Sequence, residues 1–149
     1  MNSGASAVNA VAHGTQEAVE MCLPQEAYYE LIKIAWKLVS KEKIKNTQED
    51  WDHEGKMCLP QRDYYSYFKA AMQEIGNQIN KISEPYNRGA QEAEKRQDFY
   101  EAKRQMEARE CVILDLMRTY PYFAQLYVRR NLPEIPPQGE LENLCKIKK

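Results

Sequence analysis

The sequence predicts an all-α fold: a small helical bundle with one long, charged, coiled-coil-like helix, a disordered N-terminal arm and a Pro-rich C-terminal tail. Bulky apolar side chains recur at spacings of three and four residues, the period of an amphipathic helix. Six glycines and seven prolines are few for 149 residues, which leaves long stretches free to form helices. Period-two alternation, typical of strands, is absent apart from an ambiguous stretch near residues 120–128.

An internal repeat is the clearest organisational feature of the chain. Residues 20–39 read EMCLPQEAYYELIKIAWKLV, and residues 56–75 read KMCLPQRDYYSYFKAAMQEI. The shared run MCLPQ contains uncommon residue types, so duplication explains it better than chance. Each copy predicts a helix start, with Pro24 and Pro60 at the first helical position, where the missing N–H of proline costs nothing.

Two helices should follow the repeated element, over residues 25–41 and 61–82. The second helix is interrupted by Gly76, which predicts that another backbone passes close to that position. Ser-Glu-Pro at residues 83–85 should end it, because proline breaks the helical hydrogen-bond pattern. The apolar seam of the second helix consists of Tyr64, Phe68, Ala71, Ile75, Ile79 and Ile82.

A third, long helix is predicted from Asn87 to Tyr120. Apolar side chains recur every seven residues along it, as in a coiled coil, with an exception at Arg109. Charges of both signs fill its first half, which predicts a solvated segment. Residues 111–117 are apolar nearly all round and should lie in the core. The heptad positions are Phe99, Met106, Ile113 and Tyr120.

Three regions are expected along the chain. Residues 1–14 are rich in Ala, Ser, Gly and Asn and are interpreted as a flexible arm without the basic start of a secretory signal. Residues 15–130 should form the helical domain that contains the duplication. Residues 131–149 include the run NLPEIPPQGE and should form an extended Pro-rich tail, with a final helical turn near Leu141.

The four cysteines are interpreted as reduced thiols in a reducing compartment, which predicts a cytoplasmic, intracellular protein. No two of them form a CxxC pair, and a helical chain of this size does not need disulfides to fold. A disulfide between Cys22 and Cys58 is the alternative interpretation. The cysteines are Cys22, Cys58, Cys111 and Cys145.

No residue pattern predicts catalysis, a metal or a cofactor. Zinc requires about four ligands, and His53 and Cys58 would need Cys22 and a nearby carboxylate to complete the set. A nucleophilic pair of Cys58 and His53 lacks a third, orienting group. We therefore expect no catalytic residues, no cofactor-binding residues, no metal ligands and no enzymatic activity.

Nucleic-acid binding is the alternative function that the charge pattern leaves open. The net charge of −1 provides no overall attraction to phosphate backbones. Local lysines after the first repeat helix, a basic C-terminus and ten tyrosines would nevertheless suit a nucleic-acid-binding helical module. No apolar run approaches the roughly 20 residues that span a bilayer, so no membrane partner is expected.

The sequence favours a non-enzymatic protein–protein interaction protein: an adaptor, an assembly factor or an inhibitor that sequesters its partner. Virus-encoded proteins that target a host are one class of this kind, by analogy. The expected partner is another protein, and a homo-oligomer through the long helix is a further expectation. The candidate partner-binding residues are Tyr29, Trp36, Tyr65, Phe99, Tyr100, Arg129 and Arg130.

Overall fold

The computed structural model describes residues 11–13, 19–42 and 55–148. The described chain is mostly helical, which confirms the predicted class, and it contains a small sheet that the sequence analysis did not predict. Two compact units are formed, Met1–Ile75 and Gly76–Lys149, and the boundary between them falls inside one long helix. None of the described helices has the length and apolar content needed to cross a membrane.

The first unit combines short strands with helices that follow them directly. Its strands are β1 (Val11–His13), β2 (Glu20–Pro24) and β3 (Lys56–Pro60). Its helices are α1 (Gln25–Ile34), α2 (Trp36–Glu42) and the beginning of α3 (Gln61–Lys95).

The second unit contains the remainder of α3 and three further helices. They are α4 (Phe99–Thr119), α5 (Phe123–Asn131) and α6 (Gln138–Lys148). Its most deeply buried large side chains include Ile113, Leu114, Met117 and Phe123. The prediction that residues 111–117 contribute to the core is therefore confirmed.

The repeated element forms strands rather than only a helix entry. The sheet is antiparallel in the order β1-β2-β3, and Cys22 of β2 lies opposite Cys58 of β3. Met21 pairs with Leu59, and Leu23 pairs with Met57. Equivalent positions of the two copies thus exchange places around the cysteine pair, which gives the β2–β3 ribbon an approximate two-fold symmetry.

Both repeat helices begin where the sequence predicts. α1 starts at Gln25 and α3 starts at Gln61, directly after the strands. Pro24 is the residue before α1, with an extended backbone at φ −54° and ψ 147°, rather than the first helical residue. The predicted position of the proline is therefore wrong by one residue, because Pro24 also completes the ladder with β3.

The predicted break at residues 83–85 and the predicted helix from Asn87 to Tyr120 are both wrong. α3 continues through Pro85 to Lys95, and the chain turns at residues 96–98 before α4 begins. A cluster of packed apolar side chains lies just after Pro85. Packing of this cluster favours a helical conformation of residues 86–95 despite the backbone hydrogen bond that the proline cannot donate. This cluster joins Ala90 and Ala93 of α3 to Ala102 and Met106 of α4.

The close contact at Gly76 involves a side chain rather than the backbone that the sequence analysis expected. A Cβ atom at this position would lie 2.8 Å from the hydroxyl of Tyr127 in α5 and 3.2 Å from its ring. Gly76 therefore accommodates an aromatic ring against α3.

The chain ends differ from their predicted conformations where they are described. In the predicted flexible arm, Val11–His13 forms β1, and residues 1–10 and 14 lie outside the described residues. In the predicted extended tail, Gln138–Lys148 is helical. Leu141 is fully buried, and burial of this apolar side chain stabilises the segment as an amphipathic helix.

All four cysteines form disulfides, so the interpretation as reduced thiols is wrong. Cys22 bonds Cys58 across the strand pair, which is the alternative pairing considered from the sequence. Cys111 of α4 bonds Cys145 of α6 within the second unit. No free cysteine remains in the chain. Sequence spacing missed the second bridge because the partners lie 34 residues apart and meet only after α4 and α6 pack together.

Candidate interaction surfaces

Five large apolar side chains are exposed in the described part of the chain, and they are the five aromatic residues predicted to bind a partner. The helices place three of them in the first unit and two in the second. Their binding role itself stays a prediction. The exposed fractions are 51% for Tyr29, 59% for Trp36, 42% for Tyr65, 65% for Phe99 and 80% for Tyr100.

Each repeat copy carries one buried and one exposed tyrosine in the same arrangement. Tyr28 and Tyr64 are both 2% exposed, because they face the core one turn into α1 and α3. The neighbouring Tyr29 and Tyr65 point outward. The ring centroids lie 5.7 Å apart in the first pair and 5.2 Å apart in the second, with an edge-to-face geometry in both. The duplication therefore preserves three-dimensional side-chain geometry as well as sequence.

Burial of the inner tyrosine shifts its acid–base behaviour. The pKa of Tyr64 is raised to about 12, chiefly because burial disfavours the phenolate and secondarily because Tyr65 lies beside it. Tyr64 also stacks on Phe68 at a centroid distance of 5.9 Å. Tyr64 is therefore a neutral core residue whose ring contacts both Phe68 and its exposed neighbour Tyr65.

Trp36 is exposed because the helical path is interrupted just before it. α1 ends at Ile34, and the N–H of Ala35 donates to the carbonyl of Leu31. Trp36 then begins α2 and lies in water beside the exposed residue Lys37.

Phe99 and Tyr100 are the first two residues of α4, directly after the turn that follows α3. Gln97 adopts the left-handed conformation, with φ of 59°, and reverses the chain. Asp98 then caps α4 by accepting a hydrogen bond from the N–H of Glu101 at 3.1 Å. The two aromatic side chains follow this cap directly, so they project from a backbone with a defined geometry.

Hydrogen bonds among charged side chains support the first turns of α4. Arg104 donates twice to the Glu101 carboxylate, at 2.9 and 2.8 Å, and the Gln105 amide donates at 2.7 Å. The pKa of Glu101 is lowered to about 2, first by the Arg104 hydrogen bonds and then by the Gln105 hydrogen bond. The carboxylate therefore stays ionised throughout the physiological range.

The two predicted arginines differ in their surroundings. Arg129 donates to the carbonyl oxygens of Ile135 and Pro136, both at 3.0 Å, and so holds the segment between α5 and α6. Arg130 is exposed at the end of α5. The structure thus gives Arg129 a structural role that sequence reasoning missed.

One group of possible metal ligands occurs among the described residues. Donor atoms of Glu20, Cys22 and Cys58 lie within 4.8 Å of one another. Both sulfur atoms are joined to each other, and a disulfide does not supply the thiolates that bind zinc. The two cysteines form a covalent link at the centre of the β2–β3 pair. His53, the other predicted donor, lies outside the described residues.

One exposed lysine follows the exposed tyrosine in each repeat copy. These lysines were not among the predicted partner-binding residues. Lys33 and Lys69 lie four residues after Tyr29 and Tyr65, and each is exposed. Residues four apart lie on the same face of a helix. The gapless alignment of the two copies was the signal that could have identified them.

Comparison with protein-family models found no match, and comparisons with characterised proteins and with solved structures found no significant match.

Proposed function

We propose that the chain is a non-enzymatic protein that binds another protein, as an adaptor, an assembly factor or an inhibitor that sequesters its partner. The exposure of five large aromatic side chains on helices is the observation that carries the proposal. Tyrosine and tryptophan are frequent among the residues that dominate interface energetics. Since each of these helices buries its opposite face, the aromatic positions are set before a partner binds, which reduces the entropic cost of association.

Nucleic-acid binding remains the alternative function. Exposed tyrosines beside lysines support it, because rings stack on bases and ammonium groups contact phosphates. The net charge of −1 and the carbonyl contacts of Arg129 favour protein binding instead.

A homo-oligomer through the long charged helix also remains a prediction, and the structure restricts how it would form. Ala102 and Ile113 of α4 are buried, and Ala102 packs on the alanines of α3. Part of the apolar seam is therefore already covered within the chain. A second copy would have to use other surfaces, such as the start of α4, where Phe99 and Tyr100 are exposed.

The two disulfides favour an oxidising compartment over the reducing, cytoplasmic compartment predicted from the sequence. Bridges persist in oxidising compartments, whereas cytosolic thiols are usually kept reduced. Each compact unit contains one bridge, Cys22–Cys58 or Cys111–Cys145. We infer that the chain forms its disulfides in an oxidising compartment and binds its partner there.

Quantitative affinity purification tests the proposed function. The oxidised full-length chain serves as bait in an extract of the organism from which it derives, and bound proteins are compared across variants. One variant replaces Tyr29, Trp36 and Tyr65 with Ser, and a second replaces Phe99 and Tyr100 with Ser. At least one protein should be enriched by the wild type about tenfold more than by one of these variants, the effect expected for a lost interface anchor.

Exposed glutamines provide the matched control. Gln73→Ser together with Gln91→Ser changes exposed helical residues without removing an aromatic ring, and it should capture the same protein as the wild type. Equal capture by the wild type and by both aromatic variants would contradict the proposal. Capture that disappears after nuclease treatment would favour the nucleic-acid alternative.

A further inference from the structure

We propose that Lys95–Arg96 is a processing site, at which an endoprotease specific for paired basic residues cuts the peptide bond between Arg96 and Gln97. This inference goes beyond the proposed function and does not depend on it. Water attacks the carbonyl carbon of Arg96 and the C–N bond breaks, which leaves a carboxylate on Arg96 and an amine on Gln97. The step consumes no reactant besides water.

The bond lies within a continuously exposed segment. Residues 94–100 are all exposed, and no other unbroken exposed run in the described part of the chain is longer than three residues. Elsewhere in α3 and α4, buried or half-buried side chains interrupt the exposed positions after at most two residues. A protease binds several residues on each side of the bond that it cuts. Residues 94–100 can therefore enter a protease cleft without pulling a side chain out of the core.

The backbone has already left the helix at this bond. α3 ends at Lys95, and Gln97 in the following turn has a φ of 59°. Two backbone hydrogen bonds hold the residues after the bond: the N–H of Gln97 donates to Glu94 at 2.9 Å, and the N–H of Asp98 donates to Ala93 at 2.8 Å. Both donor residues are exposed, so water replaces these bonds when the turn opens. Local opening of this kind makes a folded protein accessible to proteases.

The side chains of the basic pair are accessible for recognition. Lys95 and Arg96 are both exposed. Attraction to Arg96 is the smallest of the contributions that lower the pKa of Glu101, whose carboxylate is hydrogen-bonded to Arg104 and Gln105. Proteases that select basic residues bind them in pockets that contain a carboxylate. Both cations can therefore enter such pockets without first breaking a strong ion pair.

The same tripeptide occurs a second time in a different structural setting. Lys-Arg-Gln forms residues 95–97 and again residues 103–105. The second copy lies inside α4, where Arg104 donates to Glu101 at 2.9 and 2.8 Å and Gln105 donates to the same carboxylate at 2.7 Å. Opening the chain there breaks these bonds and the surrounding helical turns. Because the local sequence is identical, the structure alone predicts cleavage at the first copy.

The remaining pair of adjacent arginines in the described part of the chain is also held in a helix. Arg129 and Arg130 belong to α5. Arg129 donates to the carbonyl oxygens of Ile135 and Pro136, both at 3.0 Å. Recognition of this pair requires the release of those contacts, which disfavours it as a cleavage site.

The disulfides give the cut a covalent consequence. Cys22–Cys58 lies wholly before the cut and Cys111–Cys145 lies wholly after it, so no bridge joins the two products. Disulfides persist in secretory compartments, and endoproteases that recognise paired basic residues work there as well. Phe99 and Tyr100 become the third and fourth residues of the second product. Processing therefore places these exposed aromatic side chains beside a new chain start.

A timed digestion tests the inference. The oxidised full-length chain is treated with a purified, calcium-dependent endoprotease specific for paired basic residues, and the products are weighed by mass spectrometry without reduction. Fragments 1–96 and 97–149 should form about tenfold faster than fragments that end at Arg104 or Arg130, because opening a helix is rarer than opening the turn. Arg96→Gln and Lys95→Gln should each abolish this cleavage.

Arg130→Gln provides the matched control, since it removes one exposed arginine from another basic pair. It should be cut after Arg96 at the wild-type rate, and thermal unfolding of all variants is measured to show that they stay folded. Cleavage after Arg104 or Arg130 at the same rate as after Arg96, or faster, would overturn the proposal. So would an intact chain under conditions in which a synthetic peptide of residues 92–101 is cut completely.

Secretion from eukaryotic cells tests processing inside the compartment. The wild-type chain, exported with an added signal sequence, should be recovered with a new N-terminus at Gln97, detected by labelling of terminal amines. The two products should separate in denaturant without a reducing agent, because neither bridge spans the cut. Arg96→Gln should be secreted uncut. Recovery of the secreted wild type as an uncut chain would contradict the proposed processing.

Discussion

Glu101 illustrates how a local hydrogen-bond network lowers the pKa of a partly exposed carboxylate. Two donors, Arg104 and Gln105, contact it at the start of α4, and they lower its pKa to about 2 from a reference value of 4.5. A carboxylate with a lowered pKa stabilises the folded state above its unfolded pKa. That contribution is lost as the pH falls toward 2.

A pH titration followed by NMR should show this shift. The Glu101 side-chain carboxyl signal should titrate near pH 2, whereas Arg104→Ala should move its midpoint upward toward 4.5, because the largest cause of the shift is removed. An unchanged midpoint in Arg104→Ala would contradict the assigned cause.

Gly76 is a position where an added methyl group is predicted to be harmful. Alanine would gain about 1 kcal/mol in helix propensity, yet its Cβ would lie 2.8 Å from the Tyr127 hydroxyl. Since overpacking typically costs about 1–3 kcal/mol, Gly76→Ala should lower the free energy of unfolding by about 1 kcal/mol in urea denaturation.

Two further variants make the test at Gly76 specific. Gly139→Ala, in α6 with no atom within 4 Å of the added Cβ, should be neutral or stabilising. Tyr127→Phe should reduce the penalty of Gly76→Ala because the nearest oxygen is gone. Stabilisation by Gly76→Ala in the wild-type background would show that the ring does not pack there.

At the scale of elements, α3 is the helix whose length differs most from its prediction. Pro85 lies inside it and is exposed, so its side chain has few contacts to lose. Proline in a helix interior costs about 3 kcal/mol relative to alanine. Pro85→Ala should therefore raise the free energy of unfolding by about 1–3 kcal/mol. A lower free energy of unfolding in Pro85→Ala would instead indicate that residue 85 lies in a loop, because a loop proline stabilises a protein by restricting its unfolded chain.

The Cys22–Cys58 bridge should stabilise the first unit. It closes a segment with a sequence separation of 36 residues, for which loop-closure entropy gives about 3–4 kcal/mol. Cys22→Ala with Cys58→Ala should lower the free energy of unfolding by about this amount. As a control, a reducing agent should lower the melting temperature of the wild type and leave that of a variant with all four cysteines replaced by Ala unchanged.

The helices were more predictable than the connections between them. The starts at Gln25 and Gln61 and the buried seam at Ala71 and Ile75 follow from local periodicity. The strands were missed because five residues that end in proline show little alternation, and their pairing is fixed by the distant second copy. The turn at residues 96–98 contains neither glycine nor proline, so no strong local signal marked it.

Helix periodicity left Tyr65 off the apolar seam of its helix, and Tyr65 is exposed, but it placed Phe99 on the heptad seam of the long helix, and Phe99 is exposed as well. The roles of single polar residues did not follow from periodicity either. Tyr29 and Tyr65 fall opposite buried positions of their helices. The carbonyl contacts of Arg129 depend on how the chain returns between α5 and α6, and the second disulfide depends on the packing of α4 against α6. Such long-range geometry leaves no periodic trace in the sequence.

At the scale of the whole molecule, the covalent framework has one bridge in each compact unit. The Cys22–Cys58 bridge joins the two copies of the duplicated element, and the Cys111–Cys145 bridge joins α4 to α6. The symmetric ribbon, the equivalent tyrosine surfaces and the inferred oxidising compartment all depend on the first pairing. The other conclusions about the first unit therefore depend on the Cys22–Cys58 bond.

Peptide mapping without reduction identifies which cysteines are bonded to each other. Trypsin places the four cysteines on four different peptides, since lysine or arginine residues separate them in the sequence. Mass spectrometry of the protein from an oxidising host should find the Cys22 peptide linked to the Cys58 peptide, and the Cys111 peptide linked to the Cys145 peptide. Free thiols at Cys22 and Cys58, or a bond from either of them to Cys111 or Cys145, would contradict this pairing.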